Sequence, residues 1–148
     1  MPDRRLAVEA WENLFRAQYE IFDELKRDFS GSSLYQSEYD VLLTVVRAPG
    51  NTARLRDITG NILISQPSVS RLIDKMISRG LVTKQPDPED GRGALVTATE
   101  EGVRQFRALA VTHGRHIAER MSTLSTDELR TLTALTQKLR DASDVSPA

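Results

Sequence analysis

The sequence predicts a mainly α-helical fold carrying one small β-hairpin, and three observations predict it. Apolar residues recur three, four or seven positions apart through most of the chain. Capping and helix-ending residues punctuate those runs. One turn-rich stretch, 86–93, is flanked by two short alternating segments.

The first helix is read over residues 6–29, where Val8, Trp11, Phe15, Phe22, Leu25 and Phe29 form a stripe widened by Leu14 and Ile21. At 1.5 Å per residue it would span on the order of 35 Å, more than a small domain can cover, so part of its apolar face needs another partner. Gly31-Ser32-Ser33 breaks the pattern. A second, mostly buried helix follows through Glu38, Tyr39, Leu42, Leu43 and Val46 and stops before Pro49-Gly50-Asn51.

In the middle region a short helix through Leu55, Ile58 and Ile62 leads into a turn, Leu63-Ile64-Ser65, and then a helix with apolar positions Val69, Leu72, Ile73, Met76 and Ile77. Ser65 stands as its N-cap, Pro67 lies in its first turn, where the missing N–H costs nothing, and Gly80 ends it. Residues 81–85 and 94–97 read as the two strands of a hairpin around the loop 86–93.

The third region is helical again. Thr99 caps a helix with Glu100 and Glu101 in its first turn and a stripe of Val103, Phe106, Leu109, Ala110, His113 and Ile117. Ser125 and Glu128 form a capping box opening a last helix lined by Leu129, Leu132, Leu135 and Leu139, with fraying expected after Asp141.

Composition limits what such a fold can be. With 148 residues, 39% hydrophobic and 28% charged, the chain suffices for one cored domain and is too polar for a membrane protein. No apolar run approaches the ~20 residues of a spanning helix, and the start, Met1-Pro2-Asp3-Arg4-Arg5, leads into no signal-peptide core; a cytoplasmic protein without membrane contact is expected. The absence of cysteine excludes disulfides, thiolate metal sites and a cysteine redox switch. The formal net charge of -1 excludes nucleic-acid binding by bulk charge, so any such function needs locally arranged cations.

Helix, short turn and second helix is the arrangement that sets one helix into the DNA major groove, and the hairpin behind it would be a wing. With Val69, Leu72, Ile73 and Met76 facing inward, the second helix presents Gln66, Ser68, Ser70, Arg71, Lys75 and Ser78, with Asp74 beside them. Small residues let backbone approach base edges, Gln and Arg can make bidentate contacts to adenine and guanine, and Lys75 can neutralise a phosphate. Between Arg54 and Arg92 seven Lys or Arg stand against five Asp or Glu, leaving the net negative charge elsewhere.

The run Ile64-Ser65-Gln66-Pro67-Ser68-Val69-Ser70-Arg71-Leu72-Ile73-Asp74-Lys75-Met76, followed by Arg79-Gly80-Leu81-Val82 and Asp87-Pro88-Glu89-Asp90-Gly91-Arg92-Gly93, closely resembles the MarR family of bacterial transcription regulators. The order of helices on both sides fits as well. The resemblance implies a single domain over 1–148, a winged helix-turn-helix lobe over 35–98 with its wing at about 81–98, and flanking dimerisation helices over 6–30 and 100–142. It further implies a homodimer, commonly a repressor, on a pseudo-palindromic double-stranded DNA operator. Ser68, Ser70, Arg71 and Lys75 match positions that contact bases or phosphates, Arg92 matches the wing arginine, and Asp90 the acid that orients it. Gln66 is added from helix geometry, and Gly91 is read as permitting the tight wing turn. Two departures stand out. Thr59 and Gly60 replace better helix formers, with the glycine costing ~1 kcal/mol relative to Ala, and Tyr35 replaces a Ser or Thr cap.

The same residues admit other readings. The Leu129 to Leu139 stripe is either intrachain core or a dimer seam, and the resemblance decides for the seam. His113 and His116 could share a metal, but no third ligand is evident, so neither metal nor cofactor is expected and a metal-sensing regulator is disfavoured. Asp87, Glu89 and Asp90 fit a solvated loop better than a catalytic cluster, and no nucleophile with a base partner stands out, so the chain is not read as an enzyme. The exposed Ser70, Arg71, Lys75 and Arg92 argue against a winged helix used only for protein contacts. Trp11, Phe15, Tyr19, Tyr35 and Tyr39 are core by default; many members of the family bind small aromatic anions where these residues could lie, so a small aromatic effector is also expected, with Trp11, Phe15, Tyr35 and Tyr39 around it.

Overall fold

The computed structural model describes residues 1, 3–62 and 66–143, and these divide after His113 into two compact units. The first holds α1 (Arg4–Leu25), α2 (Arg27–Ser30), α3 (Gln36–Arg47), β1 (Thr52–Arg54), α4 (Leu55–Asn61), α5 (Gln66–Ser78), β2 (Val82–Asp87), β3 (Asp90–Ala98) and the greater part of α6 (Glu100–Met121). The second holds the end of α6 and α7 (Thr126–Ser143). The turn 63–65, including the expected Ser65 cap, and the tail from 144 lie outside the described residues.

The periodicity of the middle region becomes core. Val69, Ile73 and Met76 on α5 are fully buried with Leu42 and Val45 of α3, Ile58 of α4 and Val96 of β3. Leu72 packs on this cluster half-buried, and Ile77, the last apolar position of the helix, is exposed. The sheet is antiparallel in the order β1-β3-β2, with Arg54 opposite Leu95 and Lys84 opposite Val96.

Three features differ from the sequence reading. A third strand, β1, pairs with β3; three residues are too few to display an alternation, and the partner strand creates the element. The hairpin strands run on through most of the stretch read as loop, so that only Pro88 and Glu89 separate Asp87 from its partner Asp90. The first helix is interrupted at Lys26, whose N–H still reaches Phe22 O at 2.9 Å before α2 begins.

Tyr35 caps α3 without using its side chain. The Glu38 carboxylate does this work instead, accepting the Tyr35 N–H at 2.9 Å, and Glu38 is only 1% exposed. The helix ahead of the turn forms despite Thr59 and Gly60, with Thr59 Oγ1 bonded to Leu55 O at 2.9 Å.

The end of α5 is fastened to the start of α6. Gly80 takes φ 75°, the left-handed conformation that terminates a helix at low cost for glycine. Thr99 Oγ1 donates to Gly80 O at 2.7 Å, and the Thr99 hydroxyl caps α6 by accepting the Gly102 N–H at 2.9 Å. A Cβ on Gly102 would lie 2.1 Å from Leu81 O, so the two backbones touch.

His113 is a core histidine. Its Nδ1 lies 2.8 Å from Asp28 Oδ2, and the ring packs on Phe29 and Tyr39. In contrast, no residue of α1 is buried, and Leu6, Trp11, Phe15 and Tyr19 are each more than half exposed.

In the second unit Ser125 and Glu128 form the expected box, Ser125 N–H to Glu128 Oε1 at 2.9 Å and Glu128 N–H to Ser125 Oγ at 3.2 Å. These bonds hold the Glu128 carboxyl below its ordinary range. Leu135 and Leu139 are exposed on α7.

Candidate nucleic-acid interface

Burying Val69, Ile73 and Met76 turns the opposite face of α5 outward. Ser68 and Ser70 are half-buried on it, and Arg71 and Lys75 are exposed. Arg71 Nη2 reaches back to Ser68 Oγ at 3.4 Å, which draws the guanidinium toward the amino end of the helix. Gln66 begins the helix, and its side chain lies outside the described residues. Asp74, the one acid on this face, lies 3.3 Å from Lys84 Nζ of β2, so its charge is offset from the wing. Small hydroxyls flanked by cations are the chemistry that approaches a duplex groove.

The wing is built from nested carboxylate turns. Asp87 accepts the Glu89 N–H at 2.9 Å, and Asp90 accepts the Arg92 N–H at 3.1 Å. Asp90 therefore orients Arg92 through its backbone; the Arg92 side chain extends into solvent. The turn does not require the glycine read in the sequence. Gly91 has open space and no left-handed φ, whereas a Cβ on Gly93 would lie 3.1 Å from Asp90 Oδ2.

Two cations that sequence reasoning did not single out organise this surface. Arg54, at the end of β1, pairs with Asp87 (Nε to Oδ2 3.4 Å) and with the Glu89 carboxylate. Those two acids raise the Arg54 pKa and keep it charged. Arg79, at the end of α5, contacts buried Glu38 (Nε to Oε2 2.8 Å, outside hydrogen-bond geometry) and donates to Glu38 Oε1 at 3.3 Å and Ser33 O at 2.7 Å. The sequence signal for each was a cation amid a run otherwise explained by helix or strand patterning.

The four aromatic residues expected around an effector do not form one cluster. Trp11 and Phe15 pack on each other along α1, centroids 5.7 Å apart. Tyr39 is in the core, stacked on Phe106 at 5.2 Å. Tyr35 is 63% exposed, with Lys75 and Arg79 over its ring. On the far side of α3 a groove of about 780 Å³ is lined by residues including Gln36, Asp40, Arg47 and Asn61. Among the described residues no group of three or more His, Cys, Asp or Glu could hold a metal, and no helix is long and apolar enough to cross a membrane.

The profile of the MarR family matches residues 33–93. The uncharacterised HTH-type transcriptional regulator YkoM of Bacillus subtilis is 29% identical over 88% of this chain and 86% of its own. Among solved structures, the MarR family regulator AbsC of Streptomyces coelicolor matches with TM-score 0.83 at 20% identity, covering 99% of this chain and 98% of its own. Sco3205 of the same organism, solved in complex with DNA, matches with TM-score 0.80 at 18% identity, covering 100% and 92%. Bordetella bronchiseptica BpsR, whose DNA binding is regulated by 6-hydroxynicotinic acid, matches with TM-score 0.74 at 22% identity, covering 88% and 91%.

Proposed function

We propose that this chain, whose segment 33–93 matches the MarR family profile, is a DNA-binding transcriptional regulator of that kind, a cytoplasmic homodimeric repressor of a pseudo-palindromic operator. The observation that carries the DNA-binding role is the outward face of α5, with Ser68, Ser70, Arg71 and Lys75 beside a wing that extends Arg92 into solvent. In this reading α5 enters the major groove, Arg71 reads guanine or its edge, Lys75 meets phosphate and Arg92 enters the flanking minor groove. Regions 6–30 and 100–142 supply the dimer contacts. The unburied apolar face of α1 and the exposed Leu135 and Leu139 of α7 support that assignment.

A small aromatic carboxylate is the effector class we assign, acting by favouring a spacing of the two α5 helices that does not fit successive major grooves. It is supported by the exposed Trp11 and Phe15 and by the regulation of BpsR by such a compound.

The test is selection of bound duplexes from genomic DNA of the source organism, followed by mass measurement of the free and DNA-bound protein. A dimer of 16.6 kDa chains on an inverted repeat is expected. Only a monomer at micromolar concentration, or no enrichment of any sequence, would overturn the reading.

A further inference from the structure

The exposed Tyr35 ring sits beneath two cations of the helix that the functional reading sets into the major groove. Lys75 Nζ lies 5.8 Å and Arg79 Cζ 5.7 Å from its centroid. We propose that Tyr35 is a DNA-backbone residue, whose ring fixes the Lys75 ammonium and whose hydroxyl donates to a phosphate beside the one Lys75 neutralises. The proposal rests on the reading that the outward face of α5 meets DNA.

Three observations carry it. First, the ring's attachment is rigid: Glu38, 1% exposed, holds the Tyr35 N–H, and Arg79 ties Glu38 and Ser33 O to the end of α5. Second, the two cations divide their tasks. Arg79 is committed to Glu38 and Ser33, whereas Lys75 makes no ion pair among the described residues and keeps its charge for an anion. Third, a ring 63% exposed at the end of a helix is open on the side where an effector pocket would need walls. A phenol hydroxyl beside an ammonium is suited to two neighbouring oxygens of a phosphate chain, a contact that holds register without reading sequence.

The experiment compares Tyr35→Phe, Tyr35→Ala and Lys75→Ala with the parent on the selected operator and on a scrambled duplex, across a salt series, after thermal melting confirms folding. Tyr35→Phe should weaken both duplexes alike, about three- to tenfold, the size of one hydrogen bond, and leave the salt slope unchanged because no counterion is released. Lys75→Ala should lower that slope by about 0.9. Tyr35→Ala should cost more than Tyr35→Phe, and less than additively with Lys75→Ala, because the ring restrains the lysine. If Lys75→Ala weakens binding while both Tyr35 variants bind like the parent, this inference falls and the reading of α5 stands. If Lys75→Ala and both Tyr35 variants leave affinity untouched, the reading of α5 falls with it.

Discussion

Arg54 Nε lies 3.4 Å from Asp87 Oδ2, and the Asp87 side chain is only 3% exposed. The buried carboxylate at the base of the wing thus depends on a cation delivered by β1, the strand that pairs with β3. Arg54→Ala is expected to lower the urea midpoint and to weaken DNA binding several-fold, because the turn holding Arg92 loses its anchor. Asp87→Ala, which also removes the acceptor for the Glu89 N–H, should cost about 1–3 kcal/mol. A double-mutant cycle on unfolding free energy checks the pair: strictly additive losses would mean that the contact carries no coupling.

Much of this arrangement was legible in the sequence because it rests on local rules. The α5 stripe, the Gly80 stop, the Thr99 cap and the Ser125 box each follow from spacing or a cap, and each is found where it was read. What was not legible depends on partners distant in sequence. β1 exists through Thr52 to Arg54 pairing with Leu95 to Thr97, and the hairpin tightens because Asp87 is held by Arg54, some thirty positions earlier. In the candidate site, Arg71, Lys75 and Arg92 could be read from helix facing and the wing motif, but the routes by which Arg79 and Arg54 hold that surface run between elements. Tyr39 illustrates the same limit. It is core by default in the sequence, with an effector wall as the alternative, and stacking on Phe106 decides for the core.

Gly102 provides a sharp steric test of how α6 is joined to the end of α5. A methyl group there would meet the Leu81 carbonyl oxygen at 2.1 Å, a backbone atom that cannot swing aside. Gly102→Ala should therefore destabilise by at least about 1–3 kcal/mol, the usual cost of overpacking. Gly114→Ala, on the same helix with open space around it, should instead stabilise by about 0.4–1 kcal/mol. Urea unfolding of both variants decides, and equal effects would contradict the backbone contact.

Asp40 lines the groove beside α3, and burial raises its pKa above the ordinary 3.8, partly offset by His113. A carboxyl whose folded pKa is raised costs stability once ionised. The cost grows as pH rises from the unfolded value through the folded one and is fully present above it. Asp40→Asn should therefore raise the melting temperature at pH 7, with the gain shrinking toward nothing as pH falls below 3.8. Melting curves across pH for parent and variant provide the check; a gain that is constant with pH would assign the effect to something other than ionisation.

Arg71 and Arg92 should fail differently, which separates groove reading from backbone tracking. Arg71 projects from a helix whose rotation is fixed by buried Val69, Ile73 and Met76, and its guanidinium is drawn toward Ser68 on the same face. A bidentate contact to guanine from there discriminates bases by ~1–3 kcal/mol. Arg92 sits near the start of β3, just past the hairpin turn, where Asp90 fixes only its backbone, so the side chain is free to follow minor-groove width and charge. Arg71→Ala is expected to weaken the operator most and to relax preference at particular base pairs, whereas Arg92→Ala should weaken binding chiefly through A/T-rich flanks and reduce the salt slope. The measurement is affinity of both variants for operator, flank-substituted and scrambled duplexes across a salt series, after confirming that each is a folded dimer. If both variants bind the operator like the parent, the docking face is wrong even though the lobe is right. Loss of the same base preferences in both would place the two arginines in one groove.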